Sequence, residues 1–371
     1  MRVDLGWMDL AFALAERGRY TVSPNPMVGA VLVKGGRVVG KGFHRRAGGP
    51  HAEVVAMTRA GRAARGADLY VTLEPCAHSG RTPPCADAIV SSGIARVVAA
   101  ARDPNPLVSG RGFEALRRGG VEVLDAGPSW RLREERQNEK FRVWIEQRRP
   151  FVTAKWAATL DGKTATARGT SRWITGPEAR ERALLLREEN DAVLVGARTV
   201  KLDDPRLTRR LGKNRVTPHW RILLDGRFTV PEGARLFRRP EGVILVTARR
   251  PANPSLRRLA SRGVLVWSLP GRRPGHVSIP SLLCKLSRHG VTSLLVEGGA
   301  ATLGEFFDAR RVDRVAVFLA PRILGGDDAP GGVGGNGFSL ASSPRLEGIE
   351  LEPLGGDLLV TGIVARRKEA R

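Results

Sequence analysis

Apolar and polar positions along the chain follow two rhythms. From Asp9 to Ala15 the apolar residues fall at helical spacing, and the turn-rich Ser23-Pro-Asn-Pro closes that pattern. Residues 28–33 and 38–42 read as short strands joined by Lys34-Gly-Gly-Arg, a hairpin signal. Helical spacing returns over 51–59, 84–91 and 112–118, with strands between at 68–73, 96–101 and 121–124. Such alternation predicts a sheet covered by helices.

The stretch 127–150 breaks the rhythm. Arg131-Leu-Arg-Glu-Glu-Arg-Gln-Asn-Glu-Lys is dense in charge and reads as a solvated helix leading into a second domain. Beyond it, short continuous apolar runs recur at 151–156, 193–196, 221–225, 242–247, 263–267, 293–297 and 314–320. Continuous rather than alternating apolarity marks strands buried on both faces, as in a parallel doubly wound α/β sheet. A chain of 371 residues exceeds one typical core, so two domains are expected, 1–149 and 150–371.

Charge and composition narrow the function. Lys and Arg number 61 against 37 Asp and Glu, a surplus of 24 that invites a nucleic-acid reading. The basic residues are spread as singles and pairs, with no polybasic arm, and aromatic residues make up only 5%. Without a stripe or a stacking platform, binding of phosphorylated small molecules suits the charge better than nucleic acid. No apolar run reaches the roughly 18 to 20 residues a bilayer requires, so no membrane association is expected. The start carries an early acid and no long apolar region, and a cytoplasmic protein is expected. Cys76, Cys85 and Cys284 are too few for a disulfide framework. Cys284, in an apolar stretch, reads as a buried, inert thiol.

The most specific signal is His51-Ala-Glu53, followed by Pro75-Cys76 and, nine residues on, Cys85. One imidazole and two thiolates leave a tetrahedral zinc with a fourth position free for water, as at a catalytic site. Glu53, two residues from His51, is placed to move protons, and His-x-Glu with a downstream Pro-Cys is the zinc deaminase signature. The helix end at His51 should favour the neutral imidazole that a ligand requires. Each residue alone has a plain alternative: a capping histidine, a first-turn acid, two core cysteines. Their conjunction favours the metal. A tRNA-type deaminase with an accessory domain is the competing reading, but the tight Cys-x-x-Cys of that class is absent here.

Four segments carry a closer resemblance: Ser23-Pro-Asn-Pro-Met-Val-Gly, Gly42-Phe-His-Arg-Arg-Ala-Gly-Gly-Pro-His-Ala-Glu, Glu74-Pro-Cys-Ala-His-Ser-Gly-Arg-Thr-Pro-Pro-Cys and Arg102-Asp-Pro-Asn-Pro. Together they resemble the bifunctional pyrimidine deaminase/reductase family of bacterial riboflavin biosynthesis. The resemblance implies a cytidine-deaminase-like mixed sheet with flanking helices. It implies zinc-dependent deamination at C2 of 2,5-diamino-6-ribosylamino-4(3H)-pyrimidinone 5′-phosphate. It puts Asn25, His44, Arg81, Asp103 and Asn105 on that substrate; His78, inside the metal loop, is not assigned as a ligand.

The likeness continues through Lys155-Trp-Ala-Ala-Thr-Leu-Asp-Gly-Lys-Thr-Ala, Ser171-Arg-Trp-Ile-Thr, Thr199-Val-Lys-Leu-Asp-Asp-Pro-Arg-Leu-Thr and Val296-Glu-Gly-Gly-Ala-Ala-Thr-Leu. It implies a dihydrofolate-reductase-like doubly wound sheet that uses NADPH to reduce the ribosyl group to ribityl. Ala157, Trp173, Thr199, Asp203, Gly299, Ala300, Ala301, Thr302 and Leu303 would meet NADPH. Ser171, Arg187, Leu207, Arg210 and Glu297 would meet substrate, with Arg187 and Arg210 on its phosphate. The glycine pair after a buried strand and before a helix independently suits phosphate binding. Lys155 and Glu297 are candidates for polarising the sugar carbon chain. A homo-oligomer, dimer or tetramer, is expected.

Overall fold

The computed structural model describes residues 4–77, 84–106, 108–212, 218–250 and 252–365. These fall into two compact units that divide between Arg148 and Arg149.

The first unit runs α1 (Gly6–Glu16), β1 (Gly29–Lys34), β2 (Arg37–Phe43), α2 (Ala52–Ala60), β3 (Asp68–Val71), α3 (Cys85–Ser91), β4 (Arg96–Ala99), α4 (Arg111–Arg118), β5 (Glu122–Asp125), α5 (Pro128–Gln137) and α6 (Glu139–Gln147). Its sheet has the order β2-β1-β3-β4-β5. β1 is antiparallel to both β2 and β3, while β3, β4 and β5 are parallel. Both faces of β1 are buried. Ala30 and Leu32 pack with α2 and α3, whereas Val31 and Val33 pack with Met8 and Phe12 of α1.

The charged stretch after β5 departs from expectation. It forms two helices that meet at Asn138, and it packs rather than only facing solvent. Trp130 stacks on Phe12 at 5.8 Å, and Glu134, Asn138, Phe141 and Val143 are buried. Asn138 accepts the Met27 N–H at 2.7 Å and donates to the Met27 carbonyl at 3.0 Å, which fastens the turn after Ser23.

The second unit contains β6 (Phe151–Thr159), α7 (Pro177–Glu188), β7 (Ala192–Gly196), α8 (Ala197–Asp203), β8 (Trp220–Leu224), β9 (Val243–Thr247), α9 (Pro254–Ser261), β10 (Leu265–Ser268), α10 (Ile279–Arg288), β11 (Ser293–Val296), α11 (Ala300–Asp308), β12 (Arg314–Ala320), β13 (Leu346–Leu354) and β14 (Asp357–Val364). The order is β10-β9-β8-β7-β11-β6-β12-β14-β13. The strands from β10 to β12 are parallel, and all but the edge strand β10 are buried on both faces, as their continuous apolar runs predict. Ala192 and Leu194 enter one core cluster, and Val193 and Val195 the other.

Two features differ from the sequence reading. β14 and β13 form an antiparallel hairpin at the sheet edge, turning at Gly355 with φ 64°. Cys284 is exposed, not buried. The apolar face of α10 is Ile279, Leu282, Leu283 and Leu286, at helical spacing, and Cys284 falls off it.

Candidate active sites

His51 is the N-cap residue of α2, Cys76 follows β3, and Cys85 opens α3. The sheet thus brings to one point three side chains from segments far apart in sequence. Their ligand atoms lie within 4.8 Å of one another, with His51 Nδ1 3.1 Å from Cys85 Sγ and 3.6 Å from Cys76 Sγ. The Cys85 N–H points at Cys76 Sγ at 3.4 Å. The Cys85 thiol holds Cys76 down at about 4, while that same contact and burial push Cys85 up. Two adjacent thiolates repel, and a divalent cation between them is what lets both ionise. The Cys76 sulfur also raises the pKa of His51, outweighing burial, the opposite direction to the neutral imidazole expected from the helix end.

Glu53, in the first turn of α2, is buried, and its Oε2 is without a hydrogen-bond partner. Burial raises its pKa. A nitrogen and two sulfurs at these separations, beside an unsatisfied carboxylate oxygen, fit zinc and a water that the carboxylate can serve.

Asn25 and His44 stand beside this centre. Asn25 Nδ2 lies 3.0 Å from His44 Nε2, and His44 Nδ1 lies 3.0 Å from the Pro50 carbonyl. Donation from the amide to Nε2 and from Nδ1–H to the carbonyl requires neutral imidazole, which burial favours by lowering the His44 pKa. The His44 ring meets the His51 ring edge-on at 5.3 Å. Asp103 accepts the Asn105 N–H at 2.8 Å, and burial raises its carboxyl to about 7. Arg81 and His78 lie outside the described residues.

Glu74 was not singled out from the sequence. It is buried and accepts the N–H groups of Asp103, Gly110, Gly112 and Phe113. Its signal, the acid directly before Pro75-Cys76, was read only as part of the metal segment.

In the second unit Glu297 follows β11, and Lys155 sits on the neighbouring β6. Arg187 of α7 grips Glu297 with Nε at 2.7 Å from Oε1 and Nη2 at 2.8 Å from Oε2. Lys155 Nζ is 4.0 Å from Oε2. Burial opposes ionisation of Glu297, but Arg187 and then Lys155 outweigh it and hold the carboxyl at about 2. Burial lowers the Lys155 pKa, Glu297 raises it, and Arg187 lowers it. The cluster therefore pairs a permanent carboxylate with an ammonium that is easy to deprotonate.

Leu207 and Arg210 lie on a loop fixed from several sides. Glu188 accepts the Arg210 and Leu211 N–H groups, Arg209 donates to the Arg187 and Asn190 carbonyls, and His219 Nε2 lies 2.9 Å from the Leu207 carbonyl. Leu207 is buried in the core, while Arg210 is exposed. Glu188, Arg209 and His219 were missed, because their partners are backbone groups with no sequence pattern.

Gly299 caps α11 and donates its N–H to Thr199 Oγ1 at 3.3 Å. No side chain caps that helix, so its first N–H groups are open to a phosphate and fit NADPH. Thr302 and Leu303 point inward. A Cβ on Gly196 or Gly298 would strike the Thr302 side chain, and Leu303 is core. Trp173 is 65% exposed with the Arg180 guanidinium 4.4 Å over its ring, Asp203 pairs with Arg172 at 3.0 Å, and Ala157 and Ser171 are partly exposed.

Comparison with known proteins agrees with both halves. Residues 1–101 match the cytidine and deoxycytidylate deaminase zinc-binding region, and residues 150–360 match the RibD C-terminal domain. The riboflavin biosynthesis protein RibD of Aquifex aeolicus is 45% identical, over 96% of this chain and 98% of its own length. That of Escherichia coli is 38% identical over 96% and 98%. Acinetobacter baumannii RibD superposes with a TM-score of 0.86 at 37% identity, covering 97% of this chain and 98% of its own. A deaminase/reductase of Thermotoga maritima gives 0.84 at 37% identity over the same shares. A tRNA-type deaminase is not favoured by these relationships. Zinc, at the His51, Cys76 and Cys85 cluster, and NADPH are the cofactors, and the substrates are phosphorylated ribosylaminopyrimidines. The chain belongs to the RibD family, the bifunctional deaminases and reductases of riboflavin biosynthesis.

Proposed function

We propose that residues 1–149 carry the deamination and residues 150–371 the reduction, with the following roles. His51, Cys76 and Cys85 hold zinc, which supplies Lewis acidity and lowers the pKa of a water towards about 7. Glu53 would take one proton from that water to the ring nitrogen, and then carry the remaining hydroxyl proton to the departing amine as the carbonyl forms. Its burial, its raised pKa and its unsatisfied oxygen suit a group that changes protonation during turnover. Asn25, neutral His44, Arg81, Asp103 and Asn105 orient the pyrimidine ribotide.

In the reductase, NADPH supplies the two electrons and rests on Ala157, Trp173, Thr199, Asp203 and the 299–303 turn. Ser171, Leu207, Arg187 and Arg210 hold the ribotide, the two arginines on its phosphate. Lys155 donates the proton that accompanies reduction. Glu297 is too acidic to donate at neutral pH, and it serves by sustaining the Lys155 charge. We further assign the chain to the cytoplasm and to a homo-oligomer. No helix among the described residues is long and apolar enough to cross a membrane. Ile349 and Leu351 are exposed side by side on the edge strand β13, a surface that a second copy would cover.

The convergence of three ligand atoms within 4.8 Å beside the orphaned Glu53 oxygen carries the deaminase reading. Glu53→Gln should retain zinc and lose ammonia release by about 10²–10⁴-fold. Reduction of the already deaminated substrate should continue. Ammonia release at the wild-type rate would remove Glu53 from the chemistry.

A further inference from the structure

The short segment Glu74-Pro75-Cys76 carries a zinc ligand at one end and a buried carboxylate at the other. Glu74 Oε2 accepts the Asp103 N–H at 3.2 Å and the Gly110 N–H at 2.9 Å. Oε1 accepts the Gly112 N–H at 2.9 Å and the Phe113 N–H at 3.3 Å. The Glu74 N–H donates to the Ala101 carbonyl at 2.9 Å, so the segment is also tied to the chain just before Asp103. A carboxylate this deep needs its lone pairs met, and four backbone dipoles meet them. The local sequence is shaped for this approach. Gly110 has φ 83°, and a Cβ on Gly112 would lie 1.9 Å from the Pro75 carbonyl oxygen.

We propose that Glu74 is a positioning residue for the deaminase. It ties residues 103–113 to the Cys76 segment, and so fixes where Asp103 and Asn105 meet the ribotide relative to the metal. The inference rests on the reading that those two residues contact substrate. Asn105 is already folded back on Asp103 through its N–H. The loop therefore has a set shape, and Glu74 sets where that shape sits.

Glu74→Gln keeps the size of the side chain but turns an amide NH₂ toward two of the four N–H donors. Ammonia release would be measured for the full chain as wild type, Glu74→Gln and Asn105→Ala, with zinc by atomic emission and the reductase of the same chain as an internal control. A KM for the diaminopyrimidine ribotide raised at least about tenfold is expected for Glu74→Gln. Its kcat should stay within about threefold, with zinc at the wild-type level and reduction unchanged. An unchanged KM in Glu74→Gln, alongside a raised KM in Asn105→Ala, overturns the positioning role alone. An unchanged KM in Asn105→Ala shows that the loop does not hold substrate, and the inference falls with that reading. Should Glu74→Gln lose zinc, Glu74→Asp decides, since it retains both acceptor oxygens. A raised KM with zinc bound supports the proposal, and zinc loss there too makes Glu74 a structural support of the metal segment and overturns it.

Discussion

Glu297→Gln separates two uses of the same carboxylate, as a proton donor and as the anion that keeps Lys155 charged. In the wild type Lys155 Nζ is 4.0 Å from Glu297 Oε2, and the Arg187 guanidinium grips both oxygens of that carboxylate. Removing the negative charge leaves two cations facing one neutral amide. One unit charge at that distance is worth about 4 kcal/mol at an effective dielectric constant of roughly 20. Relaxation and water entry reduce the effect, but even a third of it moves a titration by about one pH unit. The sign follows from the proton balance. Lys155 donates only when protonated, so activity is present below its pKa and is lost as pH rises through it. Burial already lowers that pKa, and losing Glu297 lowers it further. The alkaline limb of kcat/KM for NADPH oxidation should therefore move to lower pH by at least about one unit. The variant will also be less stable, by about 3–5 kcal/mol, because Arg187 keeps a buried charge without its partner. Assays must run below the lowered melting temperature. A uniform drop in rate with the alkaline limb unmoved would refute this account of Glu297. Disappearance of the alkaline limb altogether would instead make the carboxyl itself the donor.

Asp103 gives a stability test. Burial, with the neighbouring Glu74 and Glu134 carboxylates, raises its carboxyl to about 7 in the fold, so folding favours the protonated form. That contribution is complete below the ordinary carboxylate value of about 4 and is lost as pH rises through about 7, at up to about 1.4 kcal/mol per pH unit. Asp103→Asn, neutral throughout, should gain in melting temperature over wild type as pH rises from about 5 to 7, and parallel melting curves would discard the shift. Separately, Leu351→Glu on β13 should lower the assembly state measured by light scattering without loss of either activity, and an unchanged mass would move the contact elsewhere on the surface.

What the sequence disclosed depended on whether side chains or backbone carried the information. The zinc centre was legible because His51, Glu53, Cys76 and Cys85 are chemically uncommon residues at a diagnostic spacing. The parallel strands were legible because burial on both faces leaves runs such as Val193-Leu-Val with no polar position. β13 hid for the opposite reason. Exposed over most of its length, it mixes glutamate with Ile349 and Leu351 and shows neither strand period cleanly. In the helices after β5, a charge density that suggests solvation conceals a buried Glu134, ion-paired with Arg142 at 2.5 Å. Cys284 misled because a stretch apolar on average still has a polar side once it is wound as a helix.

The residues that escaped notice share one physical device. Glu74 in the first unit and Glu188 in the second are buried carboxylates whose partners are main-chain N–H groups of loops proposed to hold substrate. Partly buried Asp161 likewise accepts the Leu324 and Gly325 N–H groups, and buried Asp225 those of Thr229 and Val230, on segments with no ligand role assigned. A backbone donor is present whatever side chain it carries, proline apart, so such a tether constrains the loop's path and not its sequence. Each charge-assisted bond is worth about 1.5–3 kcal/mol, enough for a pair of them to fix a loop that packs few apolar side chains. The division of labour follows. Substitution of a loop side chain such as Asn105 or Arg210 should change what is bound while the loop stays in place. Substitution of its carboxylate tether should leave the binding groups intact but misplaced. A main-chain tether therefore holds a loop through groups that every residue but proline carries, whatever side chains the loop turns to its ligand.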